Sequence, residues 1–247
     1  MLAEKLFGLI GRPLGHSQSA AYFARKFEQF GLAGVCDYRL FELGAIDELH
    51  RLLADNPNIV GLNVTIPYKT AVIPLLDRLS AEAERIGAVN CIRREADGTL
   101  TGYNTDYIGF GRSLTALLGG DKPTGALVLG TGGASRAVCT WLTDNGIAYK
   151  RVSHSGVGEL SYTDVTPEVI GAHKLIVNTT PLGMSPRCSE APELPYQALT
   201  ADHYLFDLVY NPAVTEFMRR GAQQGARVCG GQAMFEGQAE ASWKIWG

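Results

Sequence analysis

Short apolar runs alternate with stretches of helical spacing from one end of the chain to the other, which is the pattern of parallel sheets flanked by helices. The predicted fold class is α/β. Phe7-Gly-Leu-Ile10 reads as a first strand, followed by an amphipathic helix built on Ala21, Phe23, Phe27 and Phe30. Ile59 to Ile66 reads as a second, strongly apolar strand, with a helix expected from Ala71 to Leu79. Gly87 to Ile92 is a further strand candidate, and Asp97-Gly98 has the turn chemistry of a hairpin leading back to Leu100. A helix is expected from about Tyr107 to Leu118, with Asp106 at its mouth.

The clearest break is Gly119-Gly-Asp-Lys-Pro-Thr-Gly125, rich in turn formers and poor in apolar residues. A new series of strands begins there with Ala126 to Leu129 and continues through Ala148 to Val152, Lys174 to Asn178 and Tyr204 to Val209. The last segment, 231–246, has helical spacing through Met234, Phe235, Ala239 and Trp243. The expected division is a first domain over 1–105, completed by a C-terminal helix over 232–247, and a second over 106–231.

Composition narrows the function classes. With 247 residues, a net charge of −3 and 19% charged residues, the chain carries no run of Lys or Arg that would form a basic stripe for nucleic acid or a membrane surface. No apolar segment approaches the roughly 18 residues of a membrane span, and the N-terminus does not read as a signal peptide. A cytoplasmic protein acting on small molecules is expected. Cys36, Cys91, Cys139, Cys188 and Cys229 are scattered without a Cys-x-x-Cys pair and read as buried free thiols, with no metal site.

The richest stretch is Asn63-Val-Thr-Ile-Pro-Tyr-Lys69. Val64 and Ile66 alternate with Asn63 and Thr65, as in a half-buried strand, and Pro67 has no N–H to continue a ladder. The chain therefore leaves the sheet near Lys69, and strand ends are where α/β proteins place their chemistry. His16, Ser17 and Ser19 lie at the mouth of the first helix, where a cap needs only one serine.

Ala126 to Leu129 runs into Gly130-Thr-Gly-Gly-Ala-Ser-Arg136 and then a helix carrying Ala137, Val138, Trp141 and Leu142. Strand, glycine turn and helix form the context of a dinucleotide fingerprint, although Ser135 stands where its third glycine belongs. The next strand ends about 20 residues beyond Gly130, where a reader of the ribose 2′-hydroxyl carries an acid. This chain has Ser153, His154 and Ser155 there, while Lys150, Arg151 and the two serine hydroxyls suit a phosphate, so NADP is expected over NAD.

In order along nearly the whole chain, His16-Ser17-x-Ser19, Asn63 to Lys69, Gly87-Ala-Val-Asn90 with Asn104-Thr-Asp106, Gly130 to Arg136, and Gly231-x-x-Met234 closed by Gln238 resemble the shikimate dehydrogenase family. The resemblance implies two α/β domains around a cleft, an N-terminal substrate domain and a Rossmann-like dinucleotide domain. It implies NADPH-dependent reduction of 3-dehydroshikimate to shikimate in aromatic amino acid biosynthesis, by a monomer or homodimer. Lys69 and Asp106 are the implied catalytic pair, Asp106 orienting Lys69 and keeping it charged. Ser17, Ser19 and Tyr210 are implied for the substrate carboxylate, and Asn63, Thr65, Asn90, Asp106 and Gln238 for its ring hydroxyls. Gly130, Thr131, Gly132, Gly133 and Ala134 are implied for the pyrophosphate, Ser153, His154 and Ser155 for the adenosine side, and Thr179, Leu208, Gly231 and Met234 for the nicotinamide.

Two departures stand out. Gln18 and Ala20 replace the family's lysine and proline around the second serine, and Ser153-His154-Ser155 replaces its Asn-Arg-Thr. An NAD-using quinate/shikimate dehydrogenase is the rival within enzymes, but its acid after the second nucleotide strand is missing. A ligand sensor without catalysis is the rival from another class, and it would be expected to lose Lys69 or Asp106.

Overall fold

The computed structural model describes residues 3–15 and 17–247, so His16 of the serine motif lies outside the described residues. The chain divides into two compact units, one running through Thr105 and taking in Ala239–Gly247, the other comprising Asp106–Gln238. The α/β expectation holds in both.

The first unit contains strands β1 (Lys5–Gly11), β2 (Cys36–Glu42), β3 (Ile59–Val64), β4 (Arg78–Leu79), β5 (Cys91–Arg94) and β6 (Leu100–Tyr103). They form one sheet in the order β2-β1-β3-β5-β6-β4, with β1 parallel to both β2 and β3. From β1 the chain passes to β2 on one side, through helix α1 (Ser19–Gln29), and returns by helix α2 (Leu49–Asp55) to β3 on the other. The ends of β1 and β3 thus form a topological switch point, the place where open α/β sheets bind ligands. Side chains of β1 alternate between two cores: Leu6 and Ile10 pack with Leu49 and Leu53, Phe7 and Leu9 with Phe23, Phe27 and Trp246.

Three local expectations are corrected. No helix spans 71–79: a single 3-10 turn, Ile73–Leu75, is followed by β4, because Pro74 lacks an N–H and its ring opposes helix continuation. The strand expected from Gly87 starts at Cys91, since Gly87 (φ 66°) ends helix α3 (Ala81–Ile86) and donates to the Ala83 and Glu84 carbonyls. On α1, Ala21 and Phe30 face solvent, and the buried stripe is Ser19, Phe23, Lys26 and Phe27. Lys26 is tolerated there because Glu240 receives its ammonium at 2.7 and 2.8 Å.

The second unit begins with helix α4 (Asp106–Leu118). Strands β7 (Ala126–Leu129), β8 (Tyr149–Val152), β9 (Leu175–Asn178), β10 (Tyr204–Asp207) and β11 (Arg227–Cys229) form an all-parallel sheet in the order β11-β10-β9-β7-β8. Helices α5 (Gly133–Asp144), α6 (Pro167–Ala172) and α7 (Glu216–Gln223) follow, and α8 (Gln232–Trp246) belongs to this unit only through Gln238. The sheet is buried on both faces: Ala126 and Val128 join one core with Phe110 and Trp141, Leu127 and Leu129 another with Phe217 and Tyr162. From β7 the chain goes to β8 at the edge, then returns to β9 on the opposite side, which makes the ends of β7 and β9 a second switch point. Of the cysteines, Cys188 is exposed rather than buried, and Cys229 is half-buried.

Candidate active site

In the first unit the predicted residues gather where β1 and β3 end. Beyond Ile10 and Val64 the two chains stay adjacent, the Thr65 N–H donating to Ile10 and the Arg12 N–H to Ile66, both at 2.9 Å. The strand ends at Val64, earlier than the alternation suggested, and Ile66 is exposed. Lys69 is half-buried, with its carbonyl accepting from the Val89 N–H at 2.7 Å. Gln18, not a serine, occupies the N-cap position of α1. Ser17 Oγ accepts the Ser19 N–H at 3.2 Å, which leaves its own proton to donate, and Ser19 is the buried first residue of the helix.

Asn63 is buried and engaged on both sides of its amide: Oδ1 accepts from the Tyr38 hydroxyl at 2.9 Å, and Nδ2 donates to Ser242 Oγ at 2.9 Å and to the Asn90 carbonyl at 3.2 Å. Asn90 is also buried, its Oδ1 accepting the Thr105 N–H at 2.6 Å and fixing the residue that precedes Asp106. Thr65 is partly exposed at the strand end. Tyr38, Thr105 and Ser242 are thus supports that sequence reasoning missed.

In the second unit, Asp106 is buried at the first turn of α4. Gln238 lies on α8, its Nε2 donating to the Phe235 carbonyl at 3.0 Å, and the Tyr210 ring packs on Phe235 at 4.8 Å. Helices α4 and α8 approach closely, since a Cβ on Gly109 would lie 2.5 Å from the Met234 carbonyl oxygen. Met234 is buried in the core shared with Phe110 and Trp141. Gly231 follows the chain past Leu208, where an added Cβ would meet the Leu208 carbonyl oxygen at 2.2 Å.

The glycine turn fits a dinucleotide. Gly130 has φ 107°, which side chains resist, and Gly132 at the N-cap of α5 has no side chain to offer the helix. The first-turn N–H groups, including those of Gly133 and Ala134, are therefore left for an anionic ligand, and open space surrounds Gly132. Thr131 is partly exposed beside them. Ser135, in place of the third glycine, is buried with its Oγ 3.8 Å from Cys139 Sγ, so it packs into the core rather than toward a ligand. Thr179 sits across the switch point, its Oγ1 donating to the Leu129 carbonyl at 2.6 Å.

At the end of β8, Ser153 is buried and 2.7 Å from Ser155 Oγ, and the exposed His154 ring stacks on Tyr162 with centroids 4.2 Å apart. Burial pushes the Tyr162 phenol up to about 12. Arg151, expected to suit a phosphate, is instead paired with Glu159 at 2.5 Å. Its guanidinium holds the Glu159 carboxyl down to about 2.

One buried group was not singled out from the sequence. Asp207, fully buried at the end of β10, accepts from Asn178 Nδ2 and the Val209 N–H, each at 3.0 Å, and from Thr215 Oγ1 at 2.6 Å. Asn178 Oδ1 in turn accepts from Thr180 Oγ1 at 2.6 Å, so one carboxyl knits the turns after β9 and β10 that carry Thr179 and Leu208. Its signal was an acid inside the apolar run Tyr204-Leu-Phe-Asp-Leu-Val209. Among the described residues no helix is long and apolar enough to cross a membrane.

Known proteins resemble this chain along nearly its whole length. The family model described as the shikimate dehydrogenase substrate binding domain matches residues 9–92. A shikimate dehydrogenase (NADP(+)) of Clostridium beijerinckii is 40% identical, over 98% of this chain and 92% of that protein. The crystal structure of a chorismate mutase/shikimate 5-dehydrogenase fusion protein from Clostridium acetobutylicum is 35% identical with a TM-score of 0.86, covering 99% of this chain and 92% of that one. Shikimate 5-dehydrogenase from Thermus thermophilus, solved with NADP(H) and shikimate, is 33% identical with a TM-score of 0.82, covering 98% and 93%.

Proposed function

This chain belongs to the shikimate dehydrogenase family, and on that footing we propose that it catalyses the reversible NADP-dependent reduction of 3-dehydroshikimate to shikimate, on the route to aromatic amino acids. The observation that carries the reading is that each sheet presents its polar candidates at its own switch point: Ser17, Thr65 and Lys69 after β1 and β3, the glycine turn and Thr179 after β7 and β9. The first unit is the proposed substrate unit and the second the proposed NADP unit.

When bound, NADPH supplies the hydride to the carbonyl carbon. Gly130 to Ala134 hold its pyrophosphate, and Thr179, Leu208, Gly231 and Met234 surround its nicotinamide. What remains for the protein is orientation and charge. Hydride arriving at a carbonyl leaves negative charge on oxygen, and the Lys69 ammonium both stabilises that charge and donates the proton. Ser17, Ser19 and Tyr210 anchor the substrate carboxylate. Asn90, Thr65, Gln238 and the Asp106 carboxylate take the ring hydroxyls, while Asn63, with its amide engaged by Tyr38 and Ser242, contributes chiefly by holding this rim in place. A cytoplasmic setting with small-molecule partners completes the reading.

The test is an initial-rate assay of purified protein oxidising shikimate with NADP, then with NAD, then with quinate in place of shikimate. Turnover fastest with shikimate and NADP is expected. No turnover with any pair overturns the assignment.

A further inference from the structure

The turn after β8 carries an ion pair that the proposed reaction does not use, and it lies where a dinucleotide's adenosine ribose is read. In a strand, glycine turn, helix and strand unit, the group at the ribose 2′ position meets the end of the second strand, where an acid accepts the hydroxyl of NAD or a nearby arginine accommodates the phosphate of NADP. Here the second strand is β8, and its arginine is Arg151. Ser153 follows β8 directly, two residues beyond Arg151.

That arginine is already taken. Glu159 Oε1 receives Arg151 Nη2 at 2.5 Å, both carboxylate oxygens lie 3.1 Å from Nε, and Oε2 also accepts the Arg151 backbone N–H at 2.7 Å. An exposed ion pair alone is weak. This carboxylate, however, is positioned by the main chain: the Leu160 N–H donates to the Arg151 carbonyl and the Ser153 N–H to the Leu160 carbonyl, each at 3.0 Å. Gly158 permits the approach, since a Cβ there would lie 2.6 Å from the Arg151 carbonyl oxygen. A phosphate arriving at the end of β8 therefore meets a guanidinium whose charge is cancelled, beside two serines bonded to one another.

We propose that Glu159 sets the dinucleotide preference of this chain: by clamping Arg151 along β8 it withholds the guanidinium from a 2′-phosphate, so that NADP is favoured over NAD only weakly. The assignment rests on the dinucleotide reading of the second unit and names the residue that tunes it. Glu159 is a positioning residue acting through Arg151.

The experiment is titration calorimetry of the full chain with NADP+ and with NAD+, for the wild type, Glu159→Gln and Arg151→Gln. Glu159→Gln releases the guanidinium and is expected to raise the ratio of NADP+ to NAD+ affinity about five- to tenfold. Arg151→Gln is expected to change that ratio by less than about twofold, because the residue contributes little while clamped. Retained NAD+ affinity reports an intact fold in each variant. An unchanged ratio in Glu159→Gln, or a fall of about tenfold in Arg151→Gln, overturns the role of Glu159. Wild-type protein that binds neither dinucleotide overturns the dinucleotide reading itself, and the clamp with it.

Discussion

Thr179 stands so close to Gly130 that a Cβ on the glycine would lie 2.8 Å from the threonine Oγ1. That hydroxyl cannot swing away without losing its 2.6 Å bond to the Leu129 carbonyl, and Gly130 has φ 107°. Glycine is thus required twice, for space and for conformation. Gly130→Ala is expected to cost about 1–3 kcal/mol of stability, read by urea unfolding. It should also weaken NADP+ binding about tenfold or more, because the turn that presents the α5 N-terminus is displaced. Wild-type affinity in this variant would remove the turn from the cofactor site.

Asp207 makes stability depend on pH in an unusual direction. Burial pushes its carboxyl up from 3.8 to about 6, against the lowering effect of its bonds from Thr215, Val209 and Asn178. The folded protein therefore holds this proton more tightly than the unfolded chain. Its contribution is full below about pH 4 and is lost as pH rises through about 6, on the order of 2–3 kcal/mol in all. Asp207→Asn removes this titration. The stability difference between wild type and Asp207→Asn, from urea unfolding at several pH values, should shift against the wild type between pH 4 and 6 by about that amount. A difference independent of pH across that window contradicts the assignment.

Ser242 and Asn63 form a support inside the first unit. Asn63 Nδ2 donates to Ser242 Oγ at 2.9 Å, and Ser242 Oγ lies 3.1 Å from Thr105 Oγ1. Ser242→Ala removes a buried partner from both, at an expected cost of about 1–3 kcal/mol. The shikimate KM should rise while kcat falls less, because the loss loosens the substrate rim and leaves Lys69 intact. Unaltered stability and KM would show that this contact is dispensable.

Much of this was legible because buried parallel strands read as predominantly apolar runs: β1, β3, β7, β9 and β10 announced themselves that way, with Asn63, Asn178 and Asp207 among their polar exceptions. The helix after the glycine turn was equally plain from Ala137, Val138, Trp141 and Leu142, all of them buried. Strand β2 was not, since Asp37, Arg39 and Glu42 break its apolar pattern at the edge of the sheet. The supports of the site were hidden for a different reason. Tyr38 and Ser242 meet Asn63 from 25 and 179 positions away, and such pairings leave no local periodicity to read. The pairing of Arg151 with Glu159 depends on a turn whose path only Gly158 makes available.

Lys69 is the proposed proton donor in the NADP-dependent interconversion of shikimate and 3-dehydroshikimate. The most direct measurement compares initial rates of NADP+ reduction by shikimate for wild type and Lys69→Ala, with shikimate affinity taken by calorimetry on the same preparations. The wild type is expected to turn over and Lys69→Ala to lose about a hundredfold to ten-thousandfold in kcat while binding shikimate nearly as well. A Lys69→Ala enzyme that keeps its rate, or a wild type that forms no NADPH from shikimate, contradicts the account.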